Sequence, residues 1–306
     1  MSDLRTLVAE ELSLPVDPRV SAMAAAIAAK HGDASRAVLF YGSCLRQQQL
    51  EGLMLDFYLI VSDYRSAYSK RGLAIANALV PPNVFYFEHG GLAAKYAVLS
   101  EADFARECSL DARSPSVWAR FAQPSRLAWS HDRRSKERVI DAVEDAAPTF
   151  MQHTLPTLDQ SIEFKAVDVW KRGFELTYAA ELRAERNARP WTIVDAEPER
   201  YQRFGDAALT RIGEVTGLGP NGEIPLLMRS DRMARWWRRM QRKGKALSML
   251  RLAKASFTFA GGADYIAWKI NRHAGTRIEL KPWQRRHPLL AGISLLPRLL
   301  RLGAVR

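Results

Sequence analysis

The stretch VLFYGSCLRQQQLEGLMLDFYLIVSD, residues 38–63, decides the fold. One apolar run ends at Gly42-Ser43, and a second begins at Met54. Asp56 lies inside the second run, thirteen residues after Ser43. A short apolar run that ends in a glycine turn indicates a buried strand followed by a loop. The stretch therefore predicts two neighbouring strands, of which the first ends in a Gly-Ser turn and the second carries an aspartate.

The rest of the chain predicts a small mixed sheet followed by helices. Two more strands are expected at Val84–Glu88 and Lys95–Leu99, and Ser100–Asp103 reads as a capping box that opens a helix. Further helices are expected over residues 18–31, 64–79, 161–187 and 196–213, with a linker within 131–160. The predicted fold class is α/β (α+β). The predicted domains are a sheet domain (1–135), a helical linker or second domain (136–228) and a basic, aromatic region (229–306).

The positive charge is concentrated at one end of the chain. The 306 residues carry a net charge of +12, but residues 229–306 hold 19 Lys/Arg against three acids. The first 228 residues hold the other 26 Lys/Arg against 30 acids, a balance of −4. Such asymmetry predicts an anionic partner for the basic end, either nucleic acid or an anionic membrane surface.

The chain has the features of a cytoplasmic protein. Its two cysteines, Cys44 and Cys108, make neither a disulfide framework nor a zinc site. The first eleven residues contain three acids, unlike a secretory or transit peptide. No stretch reaches the roughly 20 apolar residues that span a bilayer. We therefore expect a soluble protein or one peripheral to a membrane.

Gly42, Ser43 and Asp56 have the chemistry of a phosphate and metal site. A glycine turn lets backbone N–H groups approach phosphate oxygens, and the serine hydroxyl adds a donor. Aspartate offers the hard oxygen ligand that Mg²⁺ prefers. Two-metal catalysis normally needs more than one carboxylate, yet the strand neighbour on the same face is Tyr58. Spacing alone leaves open a working site, an inactive relative or two ordinary buried strands.

Several ordered segments resemble the mitochondrial-type CDP-diacylglycerol synthases, the translocator assembly and maintenance family. The matching segments are Tyr41-Gly42-Ser43-Cys44, Gln48, Leu55-Asp56-Phe57, Lys95–Ser100, Ala119–Pro124, Thr177–Arg183 and, loosely, Leu250–Lys269. Family members also lack a second acid two residues after the aspartate. Two departures are Cys44, where the family has glycine, and Ala97, where it has another glycine.

The resemblance implies a polymerase-β-like nucleotidyltransferase domain and a mostly helical C-terminal region. It implies Mg²⁺-dependent transfer of CMP from CTP to phosphatidic acid, with release of pyrophosphate. The implied site residues are Asp56 and Lys95 for catalysis, Asp56 and Asp63 for the metal, and Gly42, Ser43, Gln48 and Tyr96 for the nucleotide. Glu88, Arg120, Gln123, Glu181 and Arg183 are weaker candidates. The nucleotide base stays open, because no motif marks the contacts that recognise it.

The basic end predicts contact with the inner face of the cell membrane. Tryptophans between arginines favour a membrane interface, and the expected contacts are Arg235, Trp236, Trp237, Arg238, Lys254 and Lys269. No stable nucleic-acid partner is expected. Two alternative functions remain: a nucleotidyltransferase acting on RNA, protein or a small molecule, and a non-catalytic adaptor on the membrane surface.

Overall fold

The fold is known from a computed structural model, which describes residues 3–47, 50–159, 164–180, 191–216, 230–258 and 279–286. The strands are β1 Ser35–Tyr41, β2 Met54–Val61, β3 Asn83–His89, β4 Leu92–Ser100 and β5 Ser125–Ser130. The helices before β5 are α1 Leu4–Ser13, α2 Pro18–Ala29, α3 Ser43–Gln47, α4 Tyr64–Ala67, α5 Arg71–Leu79, α6 Glu101–Cys108 and α7 Trp118–Phe121. Those after β5 are α8 Arg133–Glu144, α9 Ala146–Thr154, α10 Ala166–Ala180, α11 Thr192–Ala196, α12 Pro198–Thr216, α13 Ser230–Thr258 and α14 Pro282–Arg286. The predicted α/β class is confirmed.

The five strands form one mixed sheet in the order β3-β4-β2-β1-β5. β2 and β4 run parallel, and every other neighbouring pair is antiparallel. The four predicted strands are present. The edge strand β5 was not predicted, because its sequence SRLAWS is short and only partly apolar.

The sheet is covered on both faces, which explains why β1 and β2 read as continuous apolar runs. On the first face, Val38, Phe57 and Leu59 pack in one core cluster with Met23 and Ile27 of α2. The opposite face of the sheet, which we call the inner face, packs in a second and larger core cluster. Asp56 and Tyr58 share the inner face, since side chains alternate along a strand.

The inner-face cluster extends through all three predicted domains. It contains Leu39 of β1, Phe150 of α9 and Trp237 of α13, all of them buried. The three segments predicted from the sequence therefore share one core. Residues 131–159 are also mainly helical, as α8 and α9, so the linker predicted there is wrong within the described residues.

The structure corrects one predicted helix and confirms one predicted cap. The helix predicted over residues 64–79 is two helices, α4 and α5, with a break between them. Gly173 lies within α10 and allows it to pack closely against α9, because a Cβ there would collide with the ring of Phe150. The predicted cap is confirmed, since the backbone N–H of Asp103 donates to the Ser100 hydroxyl at 3.2 Å.

Candidate functional site

The Gly-Ser turn lies directly against the aspartate carboxylate. β1 ends at Tyr41, which is paired with Asp56 of β2. Gly42 has φ +92°, a conformation that other residues rarely adopt, and a Cβ there would lie 2.9 Å from Asp56 Oδ2. Position 42 therefore requires glycine for two reasons: its backbone conformation, and the lack of space for a Cβ beside the Asp56 carboxylate.

A lysine completes this group from the neighbouring strand. Asp56 is paired with Lys95 of the parallel strand β4, so the two side chains share the inner face. Lys95 Nζ lies 3.1 Å from Asp56 Oδ1. The side chains are 17% and 45% exposed for Asp56 and Lys95, respectively, so solvent reaches the pair. We call Gly42, Ser43, Asp56 and Lys95 the sheet-end site.

The two residues after Gly42 point in different directions. Ser43 is exposed at the start of α3. Cys44 is buried in the core of the first face, and its thiol donates to the Met54 carbonyl at 3.4 Å. Burial, and secondarily the charge of Asp56, raises the pKa of the Cys44 thiol. The departure from the family's glycine therefore adds no side chain to the sheet-end site, and the thiol stays protonated near neutral pH.

Tyr58 occupies the position where a two-metal site would carry a second carboxylate, and it is bound by an arginine. Tyr58 is buried, and its hydroxyl accepts a hydrogen bond from Arg120 Nη1 at 3.2 Å. The guanidinium carbon of Arg120 lies 5.4 Å from the ring centre of Tyr41, the β1 partner of Asp56. Arg120 Nη1 also donates to the Ser116 carbonyl at 3.0 Å. Two residues along from Asp56, the inner face therefore carries a fixed positive charge instead of a second carboxylate.

Asp63 does not join Asp56 in a metal site, which corrects the prediction. Its carboxylate caps α4 by accepting from the backbone N–H groups of Arg65 and Ser66, both at 2.9 Å. These and the Ser66 hydroxyl bond lower the pKa of Asp63. Asp56 is near the start of β2 and Asp63 follows its end, which at the rise of an extended strand separates them by about 20 Å.

Tyr96 is also wrongly predicted as a nucleotide contact. It follows Lys95 on β4, so its side chain points to the opposite face, where it is buried. Its hydroxyl lies 3.2 Å from His31 Nε2. Glu88, a weaker candidate, is exposed at the end of β3 and accepts from the Tyr86 hydroxyl. Gln48, Glu181, Arg183 and Lys269 lie outside the described residues.

The two tryptophans predicted as membrane contacts, Trp236 and Trp237, are not exposed anchors. Trp237 is buried and donates from Nε1 to the His153 carbonyl at 2.8 Å. Trp236 is half-buried and stacks on the His153 ring, with ring centres 4.1 Å apart. Trp118 stacks at 5.7 Å from the same ring. We call Trp118, His153, Trp236 and Trp237 the tryptophan junction; it attaches α13 to α7 and α9.

Lys254 is likewise engaged within the protein. Its ammonium donates to the Val80 carbonyl after α5, and burial, with help from Arg251, lowers its pKa to about 8. Arg251 donates from Nε to the Pro81 carbonyl at 2.8 Å and from Nη1 to the Ser116 hydroxyl at 3.3 Å. Ser116 also binds Arg120, so α13 reaches the neighbourhood of the sheet-end site.

A basic stripe remains exposed on α13. It consists of Arg235, Arg238, Arg239, Arg242 and Lys243. Their spacing of three and four residues places them on one face of the helix. Within the described chain, no salt bridge joins any of the five to a carboxylate. Of the predicted lipid contacts, Arg235 and Arg238 are therefore available to an anionic partner.

The sheet-end site fits one Mg²⁺ better than two. In the described residues, no group of three His, Cys, Asp or Glu side chains is arranged to hold a metal ion. Mg²⁺ often uses only one or two carboxylates and completes its shell with water and substrate phosphates. Asp56 meets that requirement for one ion. The donor set does not match a carboxylate pair bridging two ions.

The comparisons with known proteins leave the family unassigned. No protein-family model matches the chain, and no curated protein matches its sequence. A solved structure, a nucleotidyltransferase-like protein from Exiguobacterium sibiricum 255-15, is similar over 92% of this chain and 91% of its own. Its sequence identity is 12% and its TM-score 0.29, and a likeness at that level carries no argument about activity. Within the described residues, no helix is both long and apolar enough to cross a membrane.

Proposed function

We propose that this protein is a nucleotidyltransferase that transfers CMP from CTP to phosphatidic acid, forming CDP-diacylglycerol and pyrophosphate. The observation that carries the nucleotidyl-transfer part is the contact of the Gly42 turn with the Asp56 carboxylate, beside Lys95. A turn suited to phosphate, a carboxylate suited to a metal ion and a partly exposed lysine therefore lie close together. The choice of CTP and phosphatidic acid is supported by the family resemblance of the sequence.

Each residue of the sheet-end site has a defined part in this proposal. The backbone of the Gly42 turn would offer N–H groups to a phosphate, and the exposed Ser43 hydroxyl would donate to a phosphate oxygen. Asp56 would hold the metal, which supplies charge neutralisation on the triphosphate when bound. Lys95 donates to the phosphates that carry the developing negative charge.

The acceptor needs little help from a base. A phosphate monoester is largely ionised at neutral pH, since its second pKa is about 6. Its oxygen forms a bond to the α-phosphorus of CTP, while the bond from that phosphorus to the bridging oxygen breaks. Pyrophosphate leaves with the electron pair. Alignment and charge neutralisation therefore account for most of the catalysis that the protein must provide.

The basic stripe supports an acceptor that lies in an anionic membrane. Five neighbouring cations face outward from α13, and each Lys or Arg near an anionic leaflet contributes about 1 kcal/mol to binding. Because the tryptophan junction is part of the core, we expect this binding to be electrostatic and salt-sensitive rather than driven by inserted aromatic rings. The proposed location is the inner face of the cell membrane.

The proposal is tested by incubating purified protein with Mg²⁺, each of the four nucleoside triphosphates and phosphatidic acid liposomes. Pyrophosphate and lipid product are measured, the latter by mass. We expect CDP-diacylglycerol with CTP and a loss of at least about 100-fold in Asp56→Asn. The matched control is Asp33→Asn, an exposed aspartate outside the site.

Each rival predicts a different result. Nucleotide binding without lipid product, together with tRNA binding stronger than liposome binding, would favour an RNA acceptor. Liposome binding with no Mg²⁺-dependent nucleotide binding would favour the membrane-surface adaptor. Equal activity in Asp56→Asn and the wild type would exclude the sheet-end site as the catalytic site.

A further inference from the structure

Both oxygens of the Asp56 carboxylate lie close to protein groups. Oδ2 lies against Gly42, where an added Cβ would be 2.9 Å away. Oδ1 lies 3.1 Å from Lys95 Nζ. Because Gly42 is backbone held between β1 and α3, only the lysine can leave the carboxylate by side-chain rotation. A metal ion at Oδ1 would therefore compete with Lys95 for the carboxylate.

Lys95 and a divalent ion would repel each other if both were bound to Asp56 Oδ1. Mg²⁺ binds carboxylate oxygens at about 2.0–2.1 Å, so an ion on Oδ1 would lie within about 5 Å of an ammonium that stays in its present position, 3.1 Å from that oxygen. Two positive charges at that distance repel each other strongly in a partly buried site. The alternative position for Lys95 is outward, since its side chain is 45% exposed and has a flexible four-carbon stem.

We propose that Lys95 is an exchangeable counter-ion that holds Asp56 until a metal-bound triphosphate arrives. The Lys95 ammonium would then leave the carboxylate for the phosphates, which would free Asp56 Oδ1 to hold the metal ion. The site consequently binds metal and triphosphate together and binds metal alone weakly. This inference rests on the proposed nucleotidyl-transfer function, and it adds the order and coupling of binding.

The first test measures metal alone. Mn²⁺ binding to the full chain is followed by electron paramagnetic resonance, without nucleotide, in the wild type and in Lys95→Met. Removing the competing charge is expected to tighten Mn²⁺ binding roughly tenfold. Lys70→Met, an exposed lysine outside the site, is the matched control and should bind Mn²⁺ like the wild type. Equal or weaker Mn²⁺ binding in Lys95→Met would overturn the counter-ion role.

The second test measures the triphosphate. With saturating Mn²⁺, a non-hydrolysable CTP analogue should bind Lys95→Met about tenfold more weakly than the wild type, because a phosphate contact is lost. Lys95→Arg keeps the positive charge and should retain weak binding of Mn²⁺ alone, which keeps the inference testable if Lys95→Met does not fold. The proposal predicts that Lys95→Met binds Mn²⁺ more tightly and the CTP analogue more weakly. Misfolding would instead weaken the binding of both.

The two proposals fail in different ways. A wild type that binds no triphosphate analogue would overturn the proposed function, and with it the exchange of Lys95 onto phosphate. A wild type that binds the analogue, with Lys95→Met showing no gain in Mn²⁺ affinity, would leave the proposed function intact and overturn this inference alone.

Discussion

The sheet-end site and the tryptophan junction use their polar groups in opposite ways. At the sheet-end site, a carboxylate and an ammonium form an ion pair that stays within reach of solvent. At the tryptophan junction, the His153 ring is buried between Trp118 and Trp236, and neither of its nitrogens has a hydrogen-bond partner among the described residues. The first arrangement can bind a ligand, and the second fastens a helix.

The difference also shows how one helix serves two purposes. Met233, Trp237 and Met240 of α13 are buried and face the core, while the basic stripe on the other side faces solvent. The tryptophans hold α13 against the core, and the basic stripe presents positive charge to solvent. Changes at the junction should therefore alter stability, whereas changes at the site and at the stripe should alter binding.

Trp237→Ala is expected to have the largest effect on stability. Trp237 is buried, and its indole N–H donates to a backbone carbonyl, so truncation leaves a cavity and an unpaired acceptor. Such losses cost about 3–5 kcal/mol of unfolding free energy. Urea unfolding of the full chain measures it. Trp283→Ala is the control, because Trp283 is 43% exposed and should cost far less; similar losses in both variants would contradict the assignment of Trp237 to the core.

The second largest effect is the response of the tryptophan junction to acid. Burial lowers the pKa of His153 to about 4. Between about pH 4 and its unfolded pKa near 6.5, the unfolded chain binds a proton that the native protein does not, so stability falls as the pH falls through this range. The loss attributable to His153 is about 3 kcal/mol.

The acid response can be separated from that of other groups by substitution. His153→Phe keeps a ring between the tryptophans and removes the titrating nitrogens. Urea midpoints at pH 7 and pH 4.5 should differ less in His153→Phe than in the wild type. Equal differences in the two proteins would show that His153 is not buried as described.

Gly42→Ala is expected to cost about 2 kcal/mol, because it combines a strained positive φ with a contact against the carboxylate. Gly90→Ala is a matched control, since Gly90 has φ +56° and no atom within 4 Å of an added Cβ. Urea unfolding should show the larger loss for Gly42→Ala, and Mn²⁺ binding should weaken only in that variant. Equal losses and unchanged Mn²⁺ binding would show that Gly42 does not hold Asp56 in place.

The strands were predictable from the sequence because their apolar residues and glycine turn are local signals. Four of the five strands follow from such runs, and so does the proximity of Gly42 to Asp56. The error at Tyr96 was avoidable from the sequence as well. Lys95 and Tyr96 are adjacent on one strand and must point to opposite faces, so a site that uses Lys95 excludes Tyr96.

Other parts of the site depend on contacts between distant segments. The bond from Arg120 to Tyr58 joins residues 62 positions apart, and no local pattern shows that they meet. Likewise, the pattern of Met233, Trp237 and Met240 indicates an apolar helix face without showing what covers it. A bilayer and the protein's own core impose the same spacing, which is why Trp237 was wrongly assigned to the membrane.

The smallest effect is expected from single charges of the basic stripe. Arg238→Gln should weaken binding to anionic liposomes by about 1 kcal/mol, or roughly fivefold, without altering urea unfolding. The reason is that Arg238 is exposed and is joined to no carboxylate of the described chain. Arg133→Gln removes an exposed arginine from α8 and should leave liposome binding unchanged if the stripe is the contact surface. If liposome binding falls by the same small amount in both variants, the net charge of the protein attracts the membrane. The basic stripe of α13 is then not a specific contact surface.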